Sequence, residues 1–491
     1  MPSRDFVRSM LELAVILFPI CILIQVVSKN LVQFIPITVI TLLTWLPVSK
    51  FINKVNPFSI SGGLISLATL VVILISAYLF LRNFKKKNIL KVNLSIALIA
   101  LASAALEITL FQLNYQNKNP SDLVRDINSF TADKQTNSGN DTSNLPNIIY
   151  IVPDRYGNLA SLKQNFNFDN SSFYKSLKER SFVTNDESRS NYPFTELSLS
   201  STLNNAYLTY SDENINESSL YPLIKNSSAF RKIKDLGYKF YNFDNWWFGS
   251  NSISYADYNF MRLNESSLSK PLDHLYKIQT PIHSILKTIF GDREALSQCE
   301  LMSHYFEEIE NIISSASDQP KFIFAHMLAP HEPYLFNEKG ECNLDAIQFS
   351  NTDPALYSEI ELWESRVDFY LQYLMFVNKK MLELFDKAKK ESSRDFIFVI
   401  QSDEGPYPKC FLENVSGNYS ECSHKDWETK IGIINAMYFS SIGNLDESDL
   451  VSPINNFNII FTKLDKNDYP KKEHIFYLLN KRDQKMAFSP K

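Results

Sequence analysis

The sequence predicts an α/β protein: N-terminal transmembrane helices followed by an α/β/α sandwich with a mostly parallel sheet. Three observations carry that expectation. Long apolar runs crowd into roughly the first quarter of the 491 residues. Beyond them, short runs rich in Ile, Phe, Val and Tyr alternate with segments of helical periodicity. Between the two lies a polar stretch too poor in large apolar residues to order itself.

Four stretches have the length and apolarity of bilayer spans: about Leu11–Val27, Leu31–Val48, Ile60–Leu81 and Leu90–Phe111. Residues 1–113 therefore read as a transmembrane region of about four helices set in a lipid bilayer. No small-residue cleavage site follows Val27 and more spans come directly after it, so the first stretch reads as a retained span. The richest basic cluster, Arg82, Lys85, Lys86, Lys87 and Lys91, places the loop between spans three and four in the cytoplasm and the chain after Asn114 outside the membrane. Arg4 and Arg8 oppose this, because an even number of spans puts them outside as well. Either span two, interrupted by Pro36 and Pro47, is re-entrant, or the lysine-rich loop dominates. The expected location is the inner membrane, multi-pass, with the domain that follows in the periplasm or outside the cell. Glu107, near the outer end of span four, faces the bundle interior or reaches the interface.

Residues 114–145 form the linker, and residues 146–491 the exported domain. Cys21 sits within a span, whereas Cys299, Cys342, Cys410 and Cys422 make an even set in the exported part, as an oxidising compartment favours. The shortest loops pair Cys410 with Cys422 and Cys299 with Cys342; free buried thiols are the alternative. A net charge of −5 argues against a nucleic-acid partner, which calls for a basic excess.

Buried strands are expected at Asn147–Val152, Tyr238–Phe243, Lys321–Leu328, Asp395–Gln401 and Ile433–Phe439. Helices are expected at Asn170–Arg180, Glu196–Leu208, Ser228–Leu236, Met302–Ser314 and Glu359–Lys390. Such alternation implies a largely parallel sheet covered on both faces.

In open α/β sheets the site lies beyond the carboxyl ends of the strands. Asp154 follows the first strand, His326 and His331 lie at and after the third, and Asp403 with Glu404 follow the fourth. Each alone has a plain structural reading: a turn or helix cap for Asp154, a hydrogen-bonded core histidine for His326, a loop for Asp403 and Glu404. Together they point to a cation, because gathered carboxylates repel one another unless one compensates them. The segment SNYPFTELSLSSTLNNAYL adds a hydroxyl. A helix starting near Thr195, after Pro193, sets that side chain beside unpaired backbone N–H groups and the positive end of the helix dipole. Thr195 is either an N-cap or a nucleophile, and the second role requires a metal to lower its pKa. Trp246 and Trp247 line an acceptor groove or pack in the core.

The segments PNIIYIVPDRYGN, FDNSSFYKSLKERSFVTNDESRSNYPFTELSLSSTLNNAYL, FIFAHMLAPHEPYLF, FVIQSDEGPYP, KIGIINAMYFS and VSPINNFNIIF, in this order, resemble the sulfatase-like, membrane-bound branch of the alkaline phosphatase superfamily. That branch includes lipoteichoic acid synthases and lipid phosphoethanolamine transferases. The resemblance implies an alkaline phosphatase-like sandwich and one divalent metal ion held by Asp154, Thr195, Asp403 and Glu404. It makes Thr195 the nucleophile that is transiently phosphorylated. It makes His331 the residue that contacts the transferred group and protonates the leaving oxygen, with His326 a further candidate on the substrate side; Trp246 is a substrate-side candidate only by its place after the predicted strand. Many relatives have Asp-His-Gly where this chain has Asp403-Glu404-Gly405. A carboxylate hardens the site, favouring Mn²⁺, Mg²⁺ or Ca²⁺ over Zn²⁺. Formylglycine-dependent sulfatase chemistry starts from a Cys or Ser in a Cys/Ser-x-Pro-x-Arg setting, and Thr195 sits in neither. His424 and His474 form no recognisable second metal set.

The implied function is transfer of a phosphate-linked group, phosphoglycerol or phosphoethanolamine, from a membrane lipid donor to an envelope glycan or lipid acceptor. The alternatives are a phosphodiesterase, phosphomonoesterase or sulfatase-like hydrolase with water as acceptor, and a catalytically silent membrane scaffold.

Overall fold

The computed structural model describes residues 142–208, 217–243, 247–260, 293–350, 360–414, 419–441 and 445–478. The four expected spans, most of the expected linker and Trp246 lie outside the described residues. Among the described residues, no helix is long and apolar enough to cross a membrane.

Seven strands form one sheet: β1 Asn147–Pro153, β2 Val183–Thr184, β3 Lys239–Phe243, β4 Tyr258–Phe260, β5 Lys321–Met327, β6 Phe396–Gln401 and β7 Asn435–Phe439. Their order is β2-β7-β6-β1-β5-β3-β4. β1 runs parallel to β5 and β6, and β3 parallel to β4 and β5, whereas β7 is antiparallel to both β6 and β2. The architecture is thus α/β with a mixed, mostly parallel sheet. β1 sits centrally, where every residue is buried, and this explains why NIIYIVP is a continuous apolar run rather than an alternating one.

Alternation along the strands divides the core into two layers. Ile149 and Ile151 of β1 and Ile323 of β5 face one layer. It is closed by helices α1 (Leu159–Phe166), α2 (Ser171–Glu179), α6 (Arg293–Ser314) and α8 (Ile360–Glu391). Ile148, Tyr150 and Val152, with Phe322 and Phe324, face the other. There they meet α3 (Thr195–Asn204), α4 (Glu217–Lys225), α5 (Ser228–Asp235) and α11 (Asn456–Asp465). Each fully buried Ile or Phe of these layers contributes about 1.5–3 kcal/mol of transfer free energy.

A third cluster joins α3 to α9 (Lys409–Glu413) and α10 (His424–Ile431) through Phe194, Leu197, Phe411 and Trp427. Beside it a disulfide links Cys410 to Cys422, and a second bridge joins Cys299 to Cys342. These are the shortest-loop pairs. A short helix, α7 (Leu344–Phe349), completes the described helices together with two 3₁₀ turns.

Candidate active site

Sheet register brings the site together. Val152 of β1 pairs with His326 of β5, and Ile151 of β1 with Ile400 of β6. Asp154 and Asp403 therefore each lie three residues beyond that Ile pair, at the carboxyl end of adjacent parallel strands. The alternation that turns Val152, Phe324 and Val399 into the α3 layer carries Asp154, His326 and Asp403 onto the same face. Asp154 is fixed by its amide, which donates to Met327 O at 2.9 Å.

Asp154, His326 and Asp403 each offer a ligand atom, all within 4.8 Å of one another, and all three side chains are buried. His326 Nε2 is 3.7 Å from Asp403 Oδ2. Asp154 Oδ1 and both Asp403 oxygens are buried with no partner at full hydrogen-bond geometry among the described residues. Buried carboxylate oxygens left in that state are costly, and a divalent cation satisfies them. Electrostatics agree. Burial, then the charges of Asp403 and Glu404, push the Asp154 carboxyl well above the usual range. Burial opposes ionisation of Asp403 too, but the His326 ring and the Thr195 hydroxyl hold its carboxyl below the usual value. The residues present thus fit a divalent ion.

Thr195 is the first residue of α3, one place later than an N-cap. Phe194 is the N-cap and supplies no side-chain hydrogen bond; its carbonyl accepts from the Leu197 and Ser198 amides at 3.1 and 2.9 Å. Helix geometry gives the Thr195 and Glu196 amides no acceptor within the helix, which leaves partial positive charge at this end. Residues 196–204 are all buried, whereas Thr195 is half-buried.

Glu404 points elsewhere. Its Oε1 is 2.7 Å from Lys430 Nζ and 3.1 Å from Arg155 Nε. Arg155 also pairs with Glu332, and Glu332 with the buried Arg366. Arg366, Glu332, Arg155, Glu404 and Lys430 thereby form one chain of ion pairs along the site. The guanidiniums of Arg366 and Arg155 hold the Glu332 carboxyl well below its ordinary value against the opposing effect of burial. Burial lowers Lys430 to about 8 in spite of Glu404. Arg155 has a left-handed backbone, φ 63°, uncommon for a side chain of that size, and its carbonyl accepts from the Tyr370 hydroxyl at 2.9 Å. With Asp154 and Asp403 the site has three cations against four carboxylates. One divalent ion would turn that balance positive.

His331 lies in a half-buried loop between two cis X-Pro bonds, Ala329–Pro330 and Glu332–Pro333. Its Nδ1 bonds the backbone carbonyl of Glu332. A carbonyl only accepts, so Nδ1 carries the proton and Nε2 the lone pair. Burial and the neighbouring Arg155 lower the ring to about 3, which favours the neutral imidazole. Trp247 packs edge-on against His326, ring centroids 5.4 Å apart.

The structure therefore gathers Asp154, His326 and Asp403, sets Thr195 beside Asp403, and turns Glu404 into an ion-pair chain. The hard-cation expectation takes Glu404 as a ligand, and in the structure its Oε1 pairs with Arg155 and Lys430. Sequence reasoning passed over Arg155, Lys430, Glu332 and Arg366. The signal was the adjacency of Arg155 to Asp154 and of Glu332 to His331.

A family model described as Sulfatase matches residues 146–440, more than half of the chain. The chain belongs to the sulfatase family. It is an enzyme of the sulfatase-like part of the alkaline phosphatase superfamily. None of the curated proteins matches this sulfatase-family chain. Solved structures similar to it include the zinc complex of the C-terminal periplasmic domain of EptC from Escherichia coli, at 13% identity and TM-score 0.39, covering 66% of this chain and 84% of that one. Another is the integral membrane lipooligosaccharide phosphoethanolamine transferase A from Neisseria meningitidis, at 12% identity and TM-score 0.40, covering 82% and 68%. A third is a putative sulfatase from Bacteroides fragilis, at 13% identity and TM-score 0.39, covering 69% and 77%.

Proposed function

We propose that this sulfatase-family enzyme is a membrane-anchored, metal-dependent transferase. It moves a phosphate-linked group of the phosphoglycerol or phosphoethanolamine type from a lipid donor to an envelope glycan or lipid, through a phosphothreonine at Thr195. The observation that carries the reading is the placement of Thr195, a half-buried residue on an otherwise buried helix, beside Asp403 and a cluster of buried carboxylates. A secondary alcohol there suits a phosphothreonine and cannot become a formylglycine.

Asp154 and Asp403 would hold the divalent ion, which supplies positive charge that acidifies a hydroxyl and offsets charge on phosphoryl oxygens. The Thr195 oxygen attacks phosphorus and loses its proton; the bond from phosphorus to the lipid alcohol breaks, and that alcohol takes up a proton. The acceptor hydroxyl then attacks the phosphothreonine and the bond from phosphorus to the Thr195 oxygen breaks; the acceptor's proton passes by way of His331 Nε2 to that oxygen, so both Thr195 and a neutral His331 are restored. Arg155 and Lys430 add positive charge along the pocket. Tethering by residues 1–113 keeps the domain among lipid donors at high effective concentration.

The test uses the full chain in detergent micelles with a fluorescent phospholipid, with and without a glycan acceptor. A transferase releases labelled diacylglycerol at a rate that rises with acceptor, and the head group appears on the glycan. Release that ignores acceptor and yields only free head-group phosphate supports the hydrolase.

A further inference from the structure

Asp403 and Glu404 are neighbours in sequence with opposite surroundings. Asp403 faces the cluster, its oxygens buried beside the His326 ring and the Thr195 hydroxyl with no partner at full hydrogen-bond geometry among the described residues. Glu404 joins two buried cations, Lys430 at 2.7 Å and Arg155 at 3.1 Å. Those cations in turn clasp one ring: Lys430 Nζ stands 3.8 Å and Arg155 Cζ 3.9 Å from the centroid of Tyr407. Lys430 is fully buried, and Glu404 is the carboxylate paired with it. Drawing Glu404 towards an ion would leave Lys430 without that carboxylate in a pocket closed by Tyr407 and Phe194.

His326 is placed in the complementary way. Its ring is buried, and Nδ1 lies 2.8 Å from the hydroxyl of Ser250, itself fully buried. The backbone of the Ser250 loop is anchored to the sheet, because Asn242 Nδ2 donates to Ser250 O at 3.2 Å. With Nδ1 engaged by Ser250 and Trp247 closing one side, Nε2 is the nitrogen turned towards Asp403.

We propose that His326 joins Asp154 and Asp403 as a ligand, and that Glu404 is not a ligand but the counter-ion that holds Arg155 and Lys430. Ser250 is a positioning residue: it accepts from Nδ1–H of His326 and so fixes the tautomer whose Nε2 lone pair enters the cluster. The inference rests on the reading that this cluster binds a divalent ion. Two carboxylates and an imidazole form a softer set than three carboxylates, so the site takes Zn²⁺ and Mn²⁺ in preference to Mg²⁺ and Ca²⁺.

The experiment is calorimetric titration of Mn²⁺ into the full chain, stripped of metal by chelation in detergent, with circular dichroism confirming each variant's fold. Wild type should bind one ion per chain. Glu404→Gln should keep affinity within about threefold, Ser250→Ala should weaken it about 10–100-fold, and His326→Asn should weaken it further. Electron spin-echo spectra of the Mn²⁺-loaded protein should show nitrogen coupling in wild type and Glu404→Gln, and lose it in His326→Asn. If Glu404→Gln fails to fold, the pair Glu404→Gln with Lys430→Met removes the stranded charge and answers the same question. Loss of binding in Glu404→Gln, with binding and nitrogen coupling unchanged in His326→Asn, overturns the ligand assignment alone. A wild-type chain that takes up no divalent ion overturns this proposal and the metal-dependent reading together.

Discussion

Asp154 and Asp403 occupy equivalent places on adjacent parallel strands, each three residues past the Ile151–Ile400 pair of the sheet. The sheet itself thus sets two buried carboxylates side by side, and the local chemistry must compensate them. Without a cation they repel; with one they become ligands.

Removing one of the two should therefore act in opposite directions with and without metal. Asp154→Asn is expected to raise the melting temperature of the chelated protein, by the equivalent of about 1–2 kcal/mol, because a carboxyl disfavoured by burial and by the charges of Asp403 and Glu404 disappears. Mn²⁺ should stabilise wild type but leave the variant unmoved. Thermal scans of both proteins in chelator and in Mn²⁺ check this. A variant that melts lower in chelator and still responds to the ion contradicts it.

Thr195→Ala should cost at least about 10³-fold in turnover while changing stability by less than about 1 kcal/mol. The small stability term follows from its position: the hydroxyl caps nothing, since Phe194 is the N-cap, and the side chain is half-exposed. Parallel measurements of lipid cleavage and urea unfolding separate the two effects.

Gly405 lies against the end of α10. Its amide donates to Lys430 O at 2.8 Å, and a Cβ there would stand 2.1 Å from Thr429 O and 2.6 Å from Gly432 O. Both are backbone atoms that cannot swing aside. Gly405→Ala should destabilise by about 2–4 kcal/mol and displace Asp403. Equal urea midpoints for wild type and variant would remove the steric argument.

The strands and their polarity were legible because the central runs, NIIYIVP, KFIFAHM and FIFVIQ, are apolar on both faces. So was the start of α3, fixed at Thr195 by the preceding extended segment. What the sequence concealed was direction. Nothing in Asp403-Glu404 says that one side chain enters the cluster and the other pairs with Lys430, a residue 26 positions later that α10 brings back. His326 as a cluster member emerges only from register, because parity with Val152 decides its face. β2 and β4 went unseen for a simpler reason: at two and three residues they are too short to show a period.

The two disulfides should differ in worth. The Cys299–Cys342 bridge spans 43 residues and the Cys410–Cys422 bridge 12. On the chain-entropy account their loss costs about 4 and about 3 kcal/mol respectively. Paired Cys→Ser variants, compared by urea unfolding under non-reducing conditions, should show the first to be the less stable. The reverse order would indicate that native-state contacts around Cys410 and Cys422 outweigh loop entropy.

In the proposed reaction Thr195 forms a covalent bond to phosphorus. The direct measurement is peptide mass spectrometry of the full chain, quenched in acid after brief exposure to phosphatidylglycerol or phosphatidylethanolamine with Mn²⁺. A head-group phosphate adduct should appear on the peptide carrying Thr195 and be absent from Thr195→Ala and from chelated protein. Lipid turnover with no adduct on that peptide, or with the adduct on another residue, would contradict it.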